Sequence, residues 1–302
     1  MGRAAYDWQV GLALQQEVLP RVSVEVAYNR RWFGNFTVTD NLALGSSDYE
    51  RWIAAAPLDP RLPGGGAYNI AAFVVRPESA GRAAQNYVTF ETDFGPARVN
   101  YWHGVEVTAN ARMRNGLTFQ GGTSTGREVT DRCETIVKID SPNPRNCRTV
   151  EPFRTQFRAS ASYTLPKVDV LVSGIARISP APGLIASYNF PNSVLLGQLG
   201  HLPEGQTING NQLVNLLDSN QLYAERRHYQ FDMRFAKIFR MKEWRADVGV
   251  DLYNIFNVNT PTAYDGTYDV VPTSGLGPGG EWLYPTGIVQ PRFARLNFTV
   301  TF

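Results

Sequence analysis

Long apolar runs are missing from this sequence. Across 302 residues no stretch of about 18 consecutive apolar residues occurs, which excludes a membrane-spanning helix. Histidine and cysteine are scarce, at three and two residues, so there is little material for a metal cluster or a cofactor-ligating centre, and none is expected. The net charge of +2 is too small to argue for nucleic acid as a partner. A mean hydropathy of −0.26 suits a water-soluble protein, but it also suits strands in which only every second residue meets lipid. An apolar leader is absent too: Met1-Gly2-Arg3-Ala4-Ala5 runs straight into an alternating segment near Tyr6. For an exported protein this predicts that Met1 is an internal start and that the chain is one part of a longer one.

What is present is alternation. The final residues, Arg292 to Phe302, put apolar side chains at Ala294, Leu296, Phe298, Val300 and Phe302 with mostly polar groups between them. That period of two predicts a strand with one apolar face. A soluble protein rarely exposes an aromatic-tipped strand, because such an edge invites aggregation. The segment resembles the closing strand of an outer-membrane β-barrel. That resemblance implies that Leu296, Phe298, Val300 and Phe302 form the signal read by the barrel-assembly machinery.

Eight further stripes precede it. They run through Trp8 to Leu14, Val22 to Tyr28, Val105 to Met113, Leu117 and Phe119, Phe157 to Leu165, Val168 to Val172, Tyr229 to Phe235, and Trp244 to Leu252. Tight turns are expected at 19–21, 114–116, 166–167 and near Met241-Lys242; Asn115-Gly116 is a strong hairpin signal. The apolar stripe keeps its odd or even numbering across the three-residue turns and switches it across the two-residue turn. One sheet with one apolar side requires that behaviour.

The connections at the opposite strand ends are long, at about 38–98, 127–152, 178–224 and 257–287. Aromatics gather near the strand ends: Trp32, Trp102, Phe256, Trp282 and Tyr284 beside the loops, Tyr163 and Trp244 beside the turns. Two interfacial girdles would read this way; so would the core of a β-sandwich, and the loop asymmetry favours the girdles. The expected fold is all-β: an antiparallel transmembrane β-barrel segment over residues 1–302, with about nine long strands, short periplasmic turns and long extracellular loops. Single-chain bacterial barrels have an even strand number, so nine predicts the C-terminal part of a larger barrel.

Several short motifs carry less. Gly122-Thr123-Ser124-Thr125-Gly126 matches a nucleophile elbow, but that device needs a strand, a sharp turn and a helix, and here it lies along a strand. Gly275-Leu276-Gly277-Pro278-Gly279-Gly280 and Gly64-Gly65-Gly66 are expected to be flexible loop tips. Cys133 and Cys147 bracket a polar loop and are expected to pair in an oxidising compartment; two unpaired thiols are the other option. Arg226, His228, Asp232 and Arg234, then Arg245, Asp247 and Asp251, fall on the side opposite the apolar stripes. They are candidate lumen-facing groups, for plug contact or a substrate path; a merely solvated sheet face is the bland alternative for each. His103, His201 and His228 are scattered, and no catalytic residue is expected.

Three segments together resemble TonB-dependent outer-membrane receptors of the Oar-like group, which carries a carboxypeptidase-regulatory-like domain. They are Arg114-Asn115-Gly116-Leu117-Thr118-Phe119-Gln120-Gly121-Gly122-Thr123-Ser124-Thr125-Gly126-Arg127 with Asp131-Arg132-Cys133, Tyr229 to Lys237, and Asp251-Leu252-Tyr253-Asn254-Ile255-Phe256-Asn257. The resemblance implies a barrel of about 22 strands, of which this chain would supply the last nine. It also implies a signal peptide, plug domain and TonB box outside the chain. The implied setting is the outer membrane of a Gram-negative bacterium, with lipid, the assembly machinery, the missing N-terminal barrel half and plug, and TonB as partners. The implied function is energised uptake of a scarce ligand, a metal chelate or an oligosaccharide, without covalent chemistry. The alternatives are an adhesion or pore-like barrel without active uptake, and a soluble β-sandwich carbohydrate enzyme. The enzyme needs paired carboxylates in a cleft, and no such pair stands out.

Overall fold

The computed structural model describes residues 4–96, 98–140, 143–241, 244–269 and 279–302. Nine long strands form one continuous antiparallel sheet in chain order: β1 (Tyr6–Leu19), β2 (Val22–Gly34), β3 (Val99–Arg112), β4 (Thr118–Asp131), β5 (Arg154–Leu165), β6 (Val170–Ser179), β7 (His228–Arg240), β8 (Arg245–Tyr253) and β9 (Phe293–Thr301). A short strand, Arg148–Val150, pairs with the loop end of β4. The first and last long strands do not pair with each other, so the sheet is open.

The register links the separate apolar stripes into one face. Leu14 stands opposite Val26, Val26 opposite Val107, and Val107 opposite Thr123. Farther along, Tyr163, Val172, Phe235, Val250 and Leu296 form one cross-strand row. Val22, Val24, Val105, Val248, Phe298 and Val300 share that face, because side chains directly opposite each other in a ladder point the same way. Nothing among the described residues covers it: Leu12 and Leu14 are about three-quarters exposed, and Leu296 is 82% exposed.

The turns differ in length from the sequence expectation. At 19–21 the pairing passes from Leu19 to Val22 across a two-residue turn, and an irregularity between Glu17 and Leu19 absorbs the odd residue. The turn expected at 166–167 spans Pro166 to Asp169, with Lys167 and Asp169 at positive φ, so Val168 belongs to the turn and β6 starts at Val170. Four residues conserve the switch in numbering as two would, which is why the stripe pattern did not reveal the error. The hairpin at Asn115-Gly116 is closed by Met113 N–H donating to the Leu117 carbonyl, with Gly116 at φ 89°. Lys242 in the fourth turn lies outside the described residues.

The long connections are not unstructured. The segment 35–98 holds two small two-stranded sheets, Thr37–Asn41 with Asn86–Phe90 and Tyr49–Ala55 with Asn69–Val75. The segment 180–227 holds Ser187–Pro191, a helix at Asn192–Leu199 and Asn211–Asn215. Ser187–Pro191 also pairs in parallel with Thr267–Tyr268 of the segment 254–292. Together they enclose a core of Trp52, Leu62, Ile70, Phe190, Leu195, Leu216, Leu217, Tyr268 and Trp282 with smaller neighbours, all contributed by these three connections. At about 1.5–3 kcal/mol per buried large apolar side chain, the main hydrophobic core of the molecule lies in its loops. The Gly64-Gly65-Gly66 segment belongs to it and is not a flexible tip: a turn at Pro63–Gly65 closes over fully buried Leu62. Gly66 is at φ 82°, where a Cβ would lie 1.9 Å from the Pro57 carbonyl oxygen. Gly275 to Pro278 of the other glycine-rich segment lie outside the described residues.

Candidate functional site: polar sheet face and loop cap

The face opposite the apolar stripes carries a connected set of polar side chains. On β7, β8 and β9 the centre is Asp251, which is buried. Arg295 donates to it at 2.9 Å, Arg234 Nε stands 3.8 Å from its other oxygen, and Arg234 also donates to Asn297 at 2.8 Å. Two guanidiniums around one carboxylate compensate its burial, which an unpaired charge would make costly. Asp232 accepts from Gln230 and from the Asn254 backbone, and Arg245 donates to Asp247 at 3.0 Å. Across the sheet, Glu106 accepts from Asn29 and Ser124, and Arg31 pairs with Asp7.

Of the seven candidate lumen-facing residues, six lie on this face. Arg226 does not: β7 begins at His228, opposite the last residue of β6, and Arg226 precedes it in the loop. His228 turns to the loops and donates from Nε2 to the Pro261 carbonyl at 2.7 Å. Arg234 and Asp251 come together; Arg245 with Asp247 forms a separate pair near the turns. Arg295 and Asn297 were missed. They alternate with the terminal apolar stripe, so the same period that marked Leu296 and Phe298 as one face marks these two as the other.

Two of the expected girdle aromatics are elsewhere. Trp102 faces the polar side, where its ring lies over Gly126 and Gly104; a Cβ on Gly126 would lie 2.2 Å from that ring. Trp282 is buried in the loop core and donates from its indole N–H to the Ile185 carbonyl at 2.7 Å. Trp32, opposite Tyr101, and Phe256, packed on Phe231, do lie at the loop margin of the apolar face. The segment 122–126 is an uninterrupted part of β4, with neither elbow turn nor helix.

Residues Asp251 to Asn257 have a structural logic of their own. Asn254 is buried at φ 48°; its amide donates to the Val258 and Gln290 carbonyls and its oxygen accepts from the Val258 N–H. Asn257, at φ 51°, accepts from the Arg292 N–H. Asparagine tolerates this left-handed backbone better than most residues. The pair turns β8 into its loop and fixes where β9 begins.

All four connections interlock above the strands. Tyr68 donates to the Leu216 carbonyl, His201 meets Glu50 at 2.8 Å, and the Gln198 amide bonds both the N–H and C=O of Ile53. Arg145 joins Asp218 at 2.6 Å, next to the bonded pair Cys133–Cys147, whose Cα atoms are 4.7 Å apart. In the core, Tyr268 donates to Asp59 at 3.0 Å and Arg61 pairs with the same carboxylate at 2.7 Å. Burial pushes the Tyr268 hydroxyl well above its ordinary range, and Asp59 adds to the rise. Burial also raises Asp59, but the bonds from Arg61 and Tyr268 outweigh it and hold the carboxyl below its usual range. A cleft of about 540 Å³ opens between the connections, lined by Arg51, Tyr68, Phe73, Asn143, Arg145 and Asp218 among others. Its aromatic surfaces beside guanidinium, amide and carboxylate groups can hold a small polar ligand.

Comparison with protein-family models, curated proteins and solved structures finds no match to this chain.

Proposed function

We propose that this chain is part of the wall and the extracellular cap of an outer-membrane β-barrel receptor of the TonB-dependent kind. It would take up a scarce ligand, a metal chelate or an oligosaccharide, captured in the cap cleft and passed along the polar face. The observation that carries this reading is an inversion. The sheet exposes its large apolar side chains in one continuous face and keeps its hydrogen-bonded charges on the other, while apolar burial is confined mainly to the loops. A wall between lipid and a wet lumen has this arrangement. The two open edges of the sheet fit a wall completed by further strands, since unpaired backbone groups in lipid cost several kcal/mol each.

The test is topological. Single cysteines at Leu58 in the cap and Asn115 in a turn are labelled with a membrane-impermeant maleimide on intact cells. Labelling of the cap alone, with the protein in the outer-membrane fraction, supports the reading. Equal labelling of both positions in a soluble fraction refutes it. Energised uptake is separated from a passive or adhesive role by collapsing the proton gradient: ligand accumulation stops in the first case and is unaffected in the second.

A further inference from the structure

Near its loop margin the apolar face is interrupted by a polar row that carries two guanidiniums. Arg30 of β2 stands opposite His103 of β3, and His103 opposite Arg127 of β4, so the three side chains share a line across three adjacent strands. Aromatic rings surround them. The Arg30 guanidinium lies 4.7 Å from the Tyr101 ring centre and 5.9 Å from that of Trp32. The Arg127 guanidinium lies 4.7 Å from the ring of Phe153 and donates from Nε to His103 Nε2 at 3.0 Å. Among the described residues neither Arg30 nor Arg127 has a carboxylate partner. The polar face shows the opposite habit, pairing Arg31, Arg234, Arg245 and Arg295 with carboxylates. A groove of about 640 Å³ opens beside Arg30, between Val10, Tyr28, Trp32, Arg98 and Tyr101.

Height decides what can fill it. Eight residues separate Val22 from Arg30, or about 26 Å at ~3.3 Å per residue. A strand tilt of roughly 40° reduces this to about 20 Å of depth, against an apolar band of roughly 25 Å. The row therefore sits at the loop-side margin of the band, where head groups begin. Guanidinium forks match phosphate oxygens in pairs, and basic clusters at this level suit anionic head groups.

We propose that Arg30 and Arg127, with the surrounding aromatic rings, form a binding site for the phosphate of a phosphorylated lipid in the loop-side leaflet. The phosphate supplies the missing counter-charge, Trp32 stands on its loop side at head-group level, and Tyr28, one alternation nearer the turns on the same face, packs along the upper part of its acyl chains. This inference rests on the membrane-facing reading of the apolar side.

The test uses the full chain in neutral detergent, titrated with short-chain phosphatidic acid and followed by tryptophan fluorescence. Saturable binding is expected, weakened at least tenfold in the double variant Arg30→Gln/Arg127→Gln and unchanged in Lys237→Gln, a cation at the turn margin of the same face. Diacylglycerol without the phosphate should not compete. Equal binding by the double variant overturns the site. Equal competition by inorganic phosphate overturns the lipid as its occupant. A spin label at Val26 in bilayers separates the two levels of failure. Hydrocarbon contact at Val26 with an unaffected double variant sinks only this site, whereas aqueous contact at Val26 sinks the membrane reading itself.

Discussion

The sheet and the cap handle apolar side chains in opposite ways. Leu296 and Leu195 are the same residue type, yet one is 82% exposed in the middle of a regular strand and the other is fully buried in a loop helix. In a water-soluble domain the regular elements meet around the core and the loops skirt it. Here the regular elements offer their apolar side outward, and the connections, with their own short strands and helix, supply the core. The comparison teaches that burial is organised by environment. The cap excludes water by packing on itself, whereas the apolar side of the sheet is left uncovered by the described residues, which is what the proposed lipid-facing wall accounts for.

The largest effect should come from the cap. Trp282→Ala removes its largest buried side chain and leaves the Ile185 carbonyl without its indole donor. A loss of roughly 3–5 kcal/mol is expected, read as proteolytic cleavage within 35–98, 180–227 and 254–292 while the nine-strand sheet resists. Simultaneous loss of the sheet would show that the two regions fold as one unit.

The sheet should respond to charge instead. Val26→Arg on the apolar face is expected to cost roughly 2–4 kcal/mol in a bilayer. Ser124→Arg, on the polar face of β4, should cost much less. Denaturant refolding into vesicles measures both, and equal costs would erase the distinction between the faces.

Removing the Cys133–Cys147 bond should destabilise the connection 132–153 by up to about 3 kcal/mol on chain-entropy grounds. The loss should show as earlier proteolysis of that connection under reducing conditions, with the Trp282 core intact. The acid response should be smaller still and confined to the cap. Because Asp59 is held below its usual range, its contribution is present above the unfolded value near pH 4 and is lost as the pH falls through the folded value. Cap proteolysis should therefore rise below about pH 4, and Asp59→Asn should flatten that rise. At the bottom of the scale, Phe302→Asp, which the proposed wall puts at the membrane edge, should change stability by only about 0–1 kcal/mol. The proposed role in barrel assembly predicts that its outer-membrane abundance nevertheless falls; normal surface levels would make Phe302 a packing residue only.

The strands were legible because their signal is local and periodic. Each stripe needs only neighbours two residues away, and the nine stripes correspond to the nine long strands of one open antiparallel sheet. The turn at 166–169 was misjudged because two residues and four preserve the same alternation. The loops were opaque for a different reason. Trp52, Leu195, Leu216 and Trp282 meet only after three separate connections have closed, and no local pattern announces that. Trp282 read as an interfacial aromatic because a ring near a strand end looks the same whether lipid or Ile185 lies beside it. The polar network was half visible: Arg234 and Asp251 stood out as charges on adjacent strands, whereas Arg295 and Asn297 lay in plain alternation with a stripe read only for its apolar members.

The most direct test of the inverted sheet is a spin-label scan from Val22 to Tyr28 of the chain in bilayers. Oxygen, which concentrates in hydrocarbon, and a polar nickel chelate serve as opposing relaxation agents. Val22, Val24, Val26 and Tyr28 should show high oxygen and low chelate access, and Ser23 and Glu25 the reverse, with a period of two; Ala27, which is buried, should be closed to both agents. Chelate access to both sets, or no alternation, would contradict a sheet with one face in lipid.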